Sequence, residues 1–158
     1  MGKIYDELKQ SKRFADPRQE AVIALLRTAD VLRGRVEAAL LPHQISPEQY
    51  NVLRILRGAP DHRLPTLEIA SRMITRAPNI TRLIDKLVQK KFVSRCDHDH
   101  DRRVVVVKLM SRGLDLVNGI SSTVDHLDTT GLAALSKAQV DTLIEILDAV
   151  RSDARGRT

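Results

Sequence analysis

The feature that most constrains the fold is one short interruption of the helical hydrophobic period after the middle of the chain. Before it, apolar residues recur every three or four positions, which is typical of helices that bury one face. The stretches FVSRC and VVVVKL are instead short and rich in β-branched residues, and they flank the polar sequence DHDHDRR, so they predict a β-hairpin. Helical spacing then resumes. The sequence therefore predicts a mainly α-helical protein with one small β-hairpin.

Capping residues predict where the first two long helices begin. Asp16 precedes a proline at the first helical position, where the missing N–H costs nothing, and this helix is expected to run to about Leu41. Ser46 and Gln49 form a capping box that opens the next helix, and Gly58 ends it. The following stretch GAPDHRLP is predicted to be a loop.

Two short helices lie between this loop and the hairpin. Thr66 is predicted to cap the first, which carries Leu67 and Ile69 among its apolar residues, and the second follows the turn ITRAP. Two short helices joined by a tight turn are typical of helix-turn-helix units. Together with the hairpin they predict a winged helix-turn-helix.

Two further helices are predicted after the hairpin. Gly131 ends the first, a capping box at Ser136 opens the second, and the final residues SDARGRT are expected to fray. These elements predict one compact subunit with three parts. The parts are an N-terminal arm and dimerisation helix (1–45), a winged helix-turn-helix DNA-binding lobe (46–111) and C-terminal dimerisation helices (112–158).

The balance of charge favours a polyanionic partner. The 158 residues include 26 lysines and arginines against 20 aspartates and glutamates, a net charge of +6, as is common in proteins that bind nucleic acid. A single cysteine excludes an intramolecular disulfide and a cysteine-rich zinc site. No apolar run approaches the ~20 residues of a membrane span, and the start MGKIYDELKQ lacks the apolar centre of a signal peptide. A cytoplasmic protein without a membrane partner is expected.

Four segments resemble, in order and spacing, the MarR family of bacterial transcription regulators. They are ISPEQYNVLRIL, PTLEIASRM, APNITRLIDKLVQKKFVSR and DRRVVVVKLMSRG. The resemblance extends over most of the chain, and TRLIDKL with the segment from Asp101 to Gly113 carries most of its specificity. Three positions depart from the family pattern: Lys91 replaces a usual glycine, Met110 a usual threonine, and His100 lies where proline is common. Because glycine enters the left-handed conformation most freely, a less sharp helix end is expected at Lys91.

The second helix of the helix-turn-helix unit has one face available for DNA. If its apolar residues point into the core, polar and basic side chains remain outside, where arginine can pair with guanine and asparagine with adenine. A merely solvated polar face would have the same composition, but the adjoining wing and the basic charge favour DNA. The predicted DNA-contacting residues of the unit are Thr66, Arg76, Asn79, Thr81, Arg82 and Lys86.

The family resemblance implies roles for the tip of the hairpin. It implies that Arg103 enters the minor groove, whose negative potential is deepest over narrow A·T tracts. It further implies that Asp101 braces Arg103 through a salt bridge and that Arg102 contacts phosphate. For the whole protein it implies double-stranded DNA as partner and most often a repressor that a small-molecule ligand releases. Aromatic or phenolic compounds are candidate ligands.

The first and last long helices carry apolar stripes that need a partner. A two-fold dimer would place two recognition helices one helical turn apart on a pseudopalindrome. We therefore expect a homodimer whose arm contacts come from Val22, Leu25, Leu26, Leu143, Leu147 and Val150.

Metal and thiol chemistry are alternative functions of the hairpin. The alternating acids and imidazoles of DHDH, residues 97–100, lack the spacing of a metal-ligand set, so no metal and no cofactor is expected. A solvated tip, with some pH sensitivity of DNA affinity from His98 and His100, is the simpler interpretation. Cys96 is expected to be a half-buried strand thiol, because the peroxide sensors of the resembled family carry their cysteine near the first helix.

Two other classes of function remain to be weighed. A basic winged helix could serve protein or RNA contacts instead of DNA. The sequence contains no HExxH motif, no glycine-rich phosphate loop and no Ser-His-Asp spacing, so an enzyme is not expected.

Overall fold

The computed structural model describes residues 3–97 and 103–156 and confirms a mainly α-helical protein with a small sheet. A short first helix, which the sequence did not indicate, precedes the predicted ones. The elements are α1 (Ile4–Glu7), α2 (Pro17–Leu40), α3 (Pro47–Arg57), β1 (Arg63–Pro65), α4 (Thr66–Arg72), α5 (Ile80–Gln89), β2 (Val93–Asp97), β3 (Val105–Leu109), α6 (Ser111–Gly131) and α7 (Lys137–Gly156).

The predicted capping residues begin the long helices. The Asp16 carboxylate accepts the backbone N–H of Arg18 at 2.7 Å in the first turn of α2. In α3 the Ser46 hydroxyl accepts the Gln49 N–H at 3.2 Å, and the Gln49 side-chain oxygen accepts the Ser46 N–H at 3.1 Å. The same reciprocal pair opens α7 at Ser136. Each bond satisfies a backbone donor that a helix start leaves without an intrahelical partner.

The hairpin has a third strand beside it. Strands β2 and β3 pair antiparallel with Cys96 opposite Val106, and β1 pairs with the other edge of β3 with Leu64 opposite Val107. The order of the sheet is therefore β1-β3-β2. The prediction that GAPDHRLP is only a loop is wrong, because three residues with one buried leucine are too few to display a strand period.

Helix α4 starts differently from the prediction. Thr66 is the first residue of the helix rather than its cap, and no side chain caps α4. The Thr66 hydroxyl instead donates to the carbonyl oxygen of Val105 at 3.1 Å. Leu67 is 81% exposed, whereas Ile69 is fully buried. The predicted cap is therefore wrong, and Thr66 ties the helix-turn-helix unit to the central strand.

Helix α5 ends sharply at Lys91, contrary to expectation. Lys91 adopts the left-handed conformation, with φ of 59°. Its N–H donates to the Val88 carbonyl at 2.9 Å and the Phe92 N–H to the Leu87 carbonyl at 3.0 Å, which are the two bonds of a Schellman motif. Leu87 and Phe92 both belong to the core. Their packing holds the lysine in a conformation that costs an L-residue ~1–2 kcal/mol.

Gly113 allows the first turn of α6 to approach the end of α5 closely. A Cβ atom on Gly113 would lie 2.3 Å from the Phe92 carbonyl oxygen and 2.9 Å from Cδ1 of Leu109. The same carbonyl accepts the Met110 N–H at 2.9 Å. Any larger residue would therefore force the backbone apart, which gives this glycine a steric role.

One hydrophobic core joins α3, α4, α5, the sheet and the first half of α6. The large side chains that it buries completely are Leu40, Val52, Leu53, Leu56, Ile69, Ile84, Leu87, Val107 and Val117. This core packs the helix-turn-helix unit against the hairpin.

The chain divides into two compact units, Met1–Val124 and Asp125–Thr158, with the boundary inside α6. The predicted boundaries after residues 45 and 111 differ, because Leu40 of α2 and Val117 of α6 share the core of the lobe. The predicted three-part division assigns a role to each segment of the chain, and it stays a prediction. Helix α7 continues to Gly156, past residue 152, where the sequence predicted that the helix would begin to fray. Within the described residues, no helix has the length and apolarity needed to cross a membrane.

Candidate nucleic-acid interface

The inner face of α5 locks the helix against the lobe. Ile84 and Leu87 are completely buried, and Ile80, Leu83 and Val88 pack partly buried against the same core, as the periodicity predicts. A helix fixed along one side cannot rotate about its axis. Its outer residues therefore have a defined direction.

The predicted DNA-contacting side chains of α5 do lie on its outer face. Thr81, Arg82 and Lys86 are all exposed. They occupy successive turns of one surface, and two of them are cationic. Their exposure agrees with the predicted role, and the contacts themselves stay a prediction.

Two other predicted contacts precede the helix instead of lying along it. Arg76 is exposed in the turn between α4 and α5. Asn79 is the N-cap of α5, and its side-chain oxygen accepts the Arg82 N–H at 3.2 Å. Since an amide group has two donors and two lone pairs, Asn79 can hold this cap and still bond another partner. Asn79 therefore has a structural task that the sequence pattern did not indicate.

Asn51 of α3 fixes the turn before α5. Its side-chain oxygen accepts the backbone N–H of Ile74 at 2.8 Å. The bond pins the turn of the helix-turn-helix unit to a helix whose own core face is buried. No local pattern predicts it, because the two residues are far apart in the sequence.

An arginine of the hairpin contacts the outer helix directly. Nη1 of Arg95 lies 2.7 Å from Oδ1 of Asp85, and its Nη2 donates to the carbonyl oxygen of Thr81 at 3.5 Å. Arg95 belongs to β2, while Asp85 and Thr81 lie one turn apart on α5. The quoted segment TRLIDKLVQKKFVSR contains all three residues, but nothing in their spacing along the chain revealed the contact.

The described part of the wing includes one of the predicted tip arginines. Arg103 is exposed two residues before the start of β3. Asp101, Arg102, His98 and His100 lie outside the described residues, so the salt bridge and phosphate contact assigned to that segment stay predictions.

Cys96 lies in the described part of the hairpin. Cys96 is half-buried in β2, as predicted, with its Sγ 3.7 Å from the Val106 carbonyl oxygen. Among residues 3–97 and 103–156, no three His, Cys, Asp or Glu side chains converge as metal ligands would.

The predicted arm residues on α2 are exposed in the single chain. Val22, Leu25 and Leu26 are 55%, 42% and 61% exposed. On α7, Val150 is exposed while Leu143 and Leu147 are half-buried. Apolar side chains grouped at such exposure are typical of surfaces that pack against another molecule.

An ion pair connects α2 to α3. Nη2 of Arg33 lies 2.5 Å from Oε1 of Glu48. Partial burial acts to raise the pKa of Glu48, but hydrogen bonds from Arg33, the local backbone and Ser46 outweigh it and hold that pKa below its usual value. The hydrogen bond to Glu48 raises the pKa of Arg33. The pair joins the predicted arm helix to the predicted lobe.

Comparison with known proteins decides the family. The MarR family model matches residues 45–105, which run from just before α3 to the first residue of β3. The crystal structure of a MarR transcription factor from Planctomyces limnophilus is 35% identical, with 87% of this chain and 99% of that chain covered and a TM-score of 0.64. The chain belongs to the MarR family of transcriptional regulators. The predicted resemblance is thereby confirmed.

Two further similar proteins cover most of the chain. The HTH-type transcriptional regulator MhqR from Bacillus subtilis is 26% identical over 137 residues, which are 84% of this chain and 90% of the relative. The structure of Sco3205 from Streptomyces coelicolor, in complex with DNA, superposes with a TM-score of 0.79 at 20% identity, covering 91% of this chain and 92% of that chain. That second likeness shows a shared fold. The MarR family and its named members are transcription regulators and not enzymes, in agreement with the prediction.

Proposed function

We propose that this MarR-family protein binds double-stranded DNA sequence-specifically, as a homodimer, and represses transcription from a pseudopalindromic operator. The observation that carries the proposal is the outer face of α5, with Thr81, Arg82 and Lys86 exposed above a fully anchored inner face. The net charge of +6 favours the same partner. Sco3205, which shares the fold, was solved in complex with DNA.

In the proposed complex, α5 enters the major groove. Arg82 can donate two hydrogen bonds to guanine, and Thr81 can contact a thymine methyl group. Lys86, one turn further along, reaches phosphate as a point charge. Asn79 caps the helix and presents its amide group at the same end. Sequence reading is therefore concentrated in the first turn of α5.

The hairpin supplies the second contact. Arg103 is exposed at the end of the wing, where a cation can enter a narrow minor groove. Bracing by Asp101 and a phosphate contact by Arg102 complete the proposal as the family resemblance implies them. Thr66, whose hydroxyl holds Val105, positions the strand that leads from this arginine.

The proposed dimer follows from the exposed apolar stripe of α2. Val22, Leu25 and Leu26 would be removed from water by a second copy of the chain, and this burial favours association by ~25 cal/mol for each Å². Leu143, Leu147 and Val150 of α7 are the proposed contacts from the C-terminal arm. A two-fold dimer gives two recognition helices for two half-sites.

Release by a small molecule is the remaining part of the proposal and is supported by the family resemblance. An aromatic or phenolic compound that favours a different angle between arm and lobe would lower operator affinity by shifting the population of the two forms. The Arg33–Glu48 pair lies where α2 meets the lobe.

Selection of bound duplexes from fragmented genomic DNA tests the proposal. We expect one enriched pseudopalindrome, bound by two chains, with an affinity that falls steeply as salt rises because counterions are released. Equal affinity for the enriched duplex and for a scrambled duplex of the same composition would contradict sequence-specific binding. Preference for an RNA of the enriched sequence would favour the RNA alternative.

A further inference from the structure

Arg95 connects the two parts of the proposed DNA interface. Its guanidinium reaches Asp85 at 2.7 Å and the Thr81 carbonyl at 3.5 Å, so two of its nitrogens contact successive turns of α5. The fork of donors on an arginine suits this arrangement, whereas the single ammonium of a lysine does not.

Both sides of this contact are anchored in the hydrophobic core of the lobe. On the helix, Ile84 beside Asp85 is completely buried. On the sheet, Arg95 lies opposite Val107, which is also completely buried and belongs to the strand that follows Arg103. The contact therefore joins α5, which carries the proposed major-groove residues, to the hairpin, which carries the proposed minor-groove residue.

Stability alone is a poor account of this pair. The side chains of Arg95 and Asp85 are 37% and 46% exposed, and exposed ion pairs contribute only ~0.2–1 kcal/mol to folding. The Arg72–Glu68 pair has comparable exposure but lies within α4. What distinguishes the Arg95 contact is that it spans two elements, so its main effect is on their relative orientation.

We propose that Asp85 and Arg95 are positioning residues that set the angle between α5 and the hairpin, and thereby the sequence specificity of the protein. The inference rests on the proposed function. With the angle fixed, Arg82 can enter the major groove and Arg103 the minor groove of one duplex at the same time. Without the pair, each contact can form alone, but both fit the preferred duplex together less often.

The charge of Asp85 makes the proposal sharply testable. Replacing it with asparagine removes a negative charge beside the DNA, so electrostatics alone predicts tighter binding to every duplex. A positioning role predicts the opposite sign on the preferred duplex. Affinity for a scrambled duplex should be unchanged or increased, because that binding needs no fixed angle.

The experiment compares the full-length wild-type chain with Asp85→Asn and Arg95→Lys. The matched control is Asp141→Asn, which makes the same chemical change in an exposed pair with Lys137 inside α7. Affinity is measured by fluorescence anisotropy on the duplex enriched by the wild-type chain and on its scrambled version, at one salt concentration. Thermal unfolding verifies that each variant is folded.

We expect the ratio of the two affinities to fall about fivefold in Asp85→Asn and in Arg95→Lys, as the loss of a weak pair in both protomers implies. It should stay constant in Asp141→Asn. An unchanged ratio in both lobe variants, or an equal loss in the control, overturns the positioning role. If the wild-type chain itself prefers neither duplex, the proposed function fails first, and the two failures are thus distinguished.

Discussion

Helices α5 and α2 carry the same kind of apolar stripe, but the stripe of α5 is buried and much of the stripe of α2 is exposed. On α5, Ile84 and Leu87 are completely buried. On α2, the N-terminal half of the stripe, with Val22, Leu25 and Leu26, is exposed in the single chain. Hydrophobic period therefore predicts that a face will be covered, but it does not say by which molecule. The difference separates a helix that completes the lobe from one that is available for a second chain.

The largest effect is expected from a substitution on the buried face of α5. Leu87→Ala should lower the free energy of unfolding by about 3 kcal/mol, because it leaves a cavity among side chains that have no room to collapse. Leu26→Ala on α2 serves as the control, because it makes the same substitution at an exposed position. Urea denaturation at several protein concentrations should show a shift independent of concentration for Leu87→Ala. If the two shifts are the same at every concentration, the contrast between the helices is refuted.

A charged residue in the exposed stripe of α2 tests whether a second chain packs against that stripe. Leu25→Asp should weaken the dimer by about 2 kcal/mol, or roughly 30-fold, because the carboxylate would be desolvated against the partner. Analytical ultracentrifugation measures the change, and operator affinity should fall with it. Val31→Asp, an exposed apolar position outside the predicted stripe, serves as control. A variant that dimerises as tightly as wild type would remove α2 from the interface.

Substitutions on the outer face of α5 should change the affinity for DNA and leave dimer formation unchanged. Arg82→Ala should cost ~1–3 kcal/mol on the preferred duplex and relax the preference at particular base pairs, whereas Lys86→Ala should weaken all duplexes alike. Binding to a panel of single-base variants measures both. Unaltered preference in Arg82→Ala would exclude it as a reader.

Asn79 requires a different substitution, because alanine would also remove the cap of α5. Asn79→Ser keeps an oxygen for the Arg82 N–H and removes the amide that could pair with adenine. Loss of preference with unchanged thermal stability is the outcome that assigns Asn79 to base reading.

The smallest effect concerns how α5 ends. Lys91→Gly should stabilise the lobe by ~1 kcal/mol, because glycine takes the left-handed conformation without steric cost. Gln89→Gly, in the last helical turn, should instead destabilise it. Thermal unfolding compares the two. A destabilised Lys91→Gly would mean that the lysine side chain contributes more than its conformation costs.

The sequence predicted the features that depend on neighbours along the chain. Helix starts at Asp16 and Ser46 and the inner face of α5 follow from caps and period, which act over a few residues. It did not predict β1, the bond from Thr66 to Val105, or the contact between Arg95 and Asp85. Those depend on residues brought together by folding, and a polar pair formed across elements leaves no periodic trace.

For the candidate site, the sequence predicted which side chains face outward better than it predicted what each side chain does. Thr81, Arg82 and Lys86 are exposed because their neighbours are apolar at helical spacing. The capping role of Asn79 depends on where α5 begins, and a turn boundary is less regular than a helix face. The family resemblance identified Arg103, which no physical pattern in the hairpin distinguishes from Arg102.

If the α5 helices of two chains read two half-sites together, the spacing of the half-sites must match that of the helices. The most direct measurement is the affinity for the enriched pseudopalindrome before and after insertion of about five base pairs, half a helical turn, between its halves. We expect the inserted duplex to bind no more tightly than a duplex with a single half-site. Full affinity for the inserted duplex would contradict it.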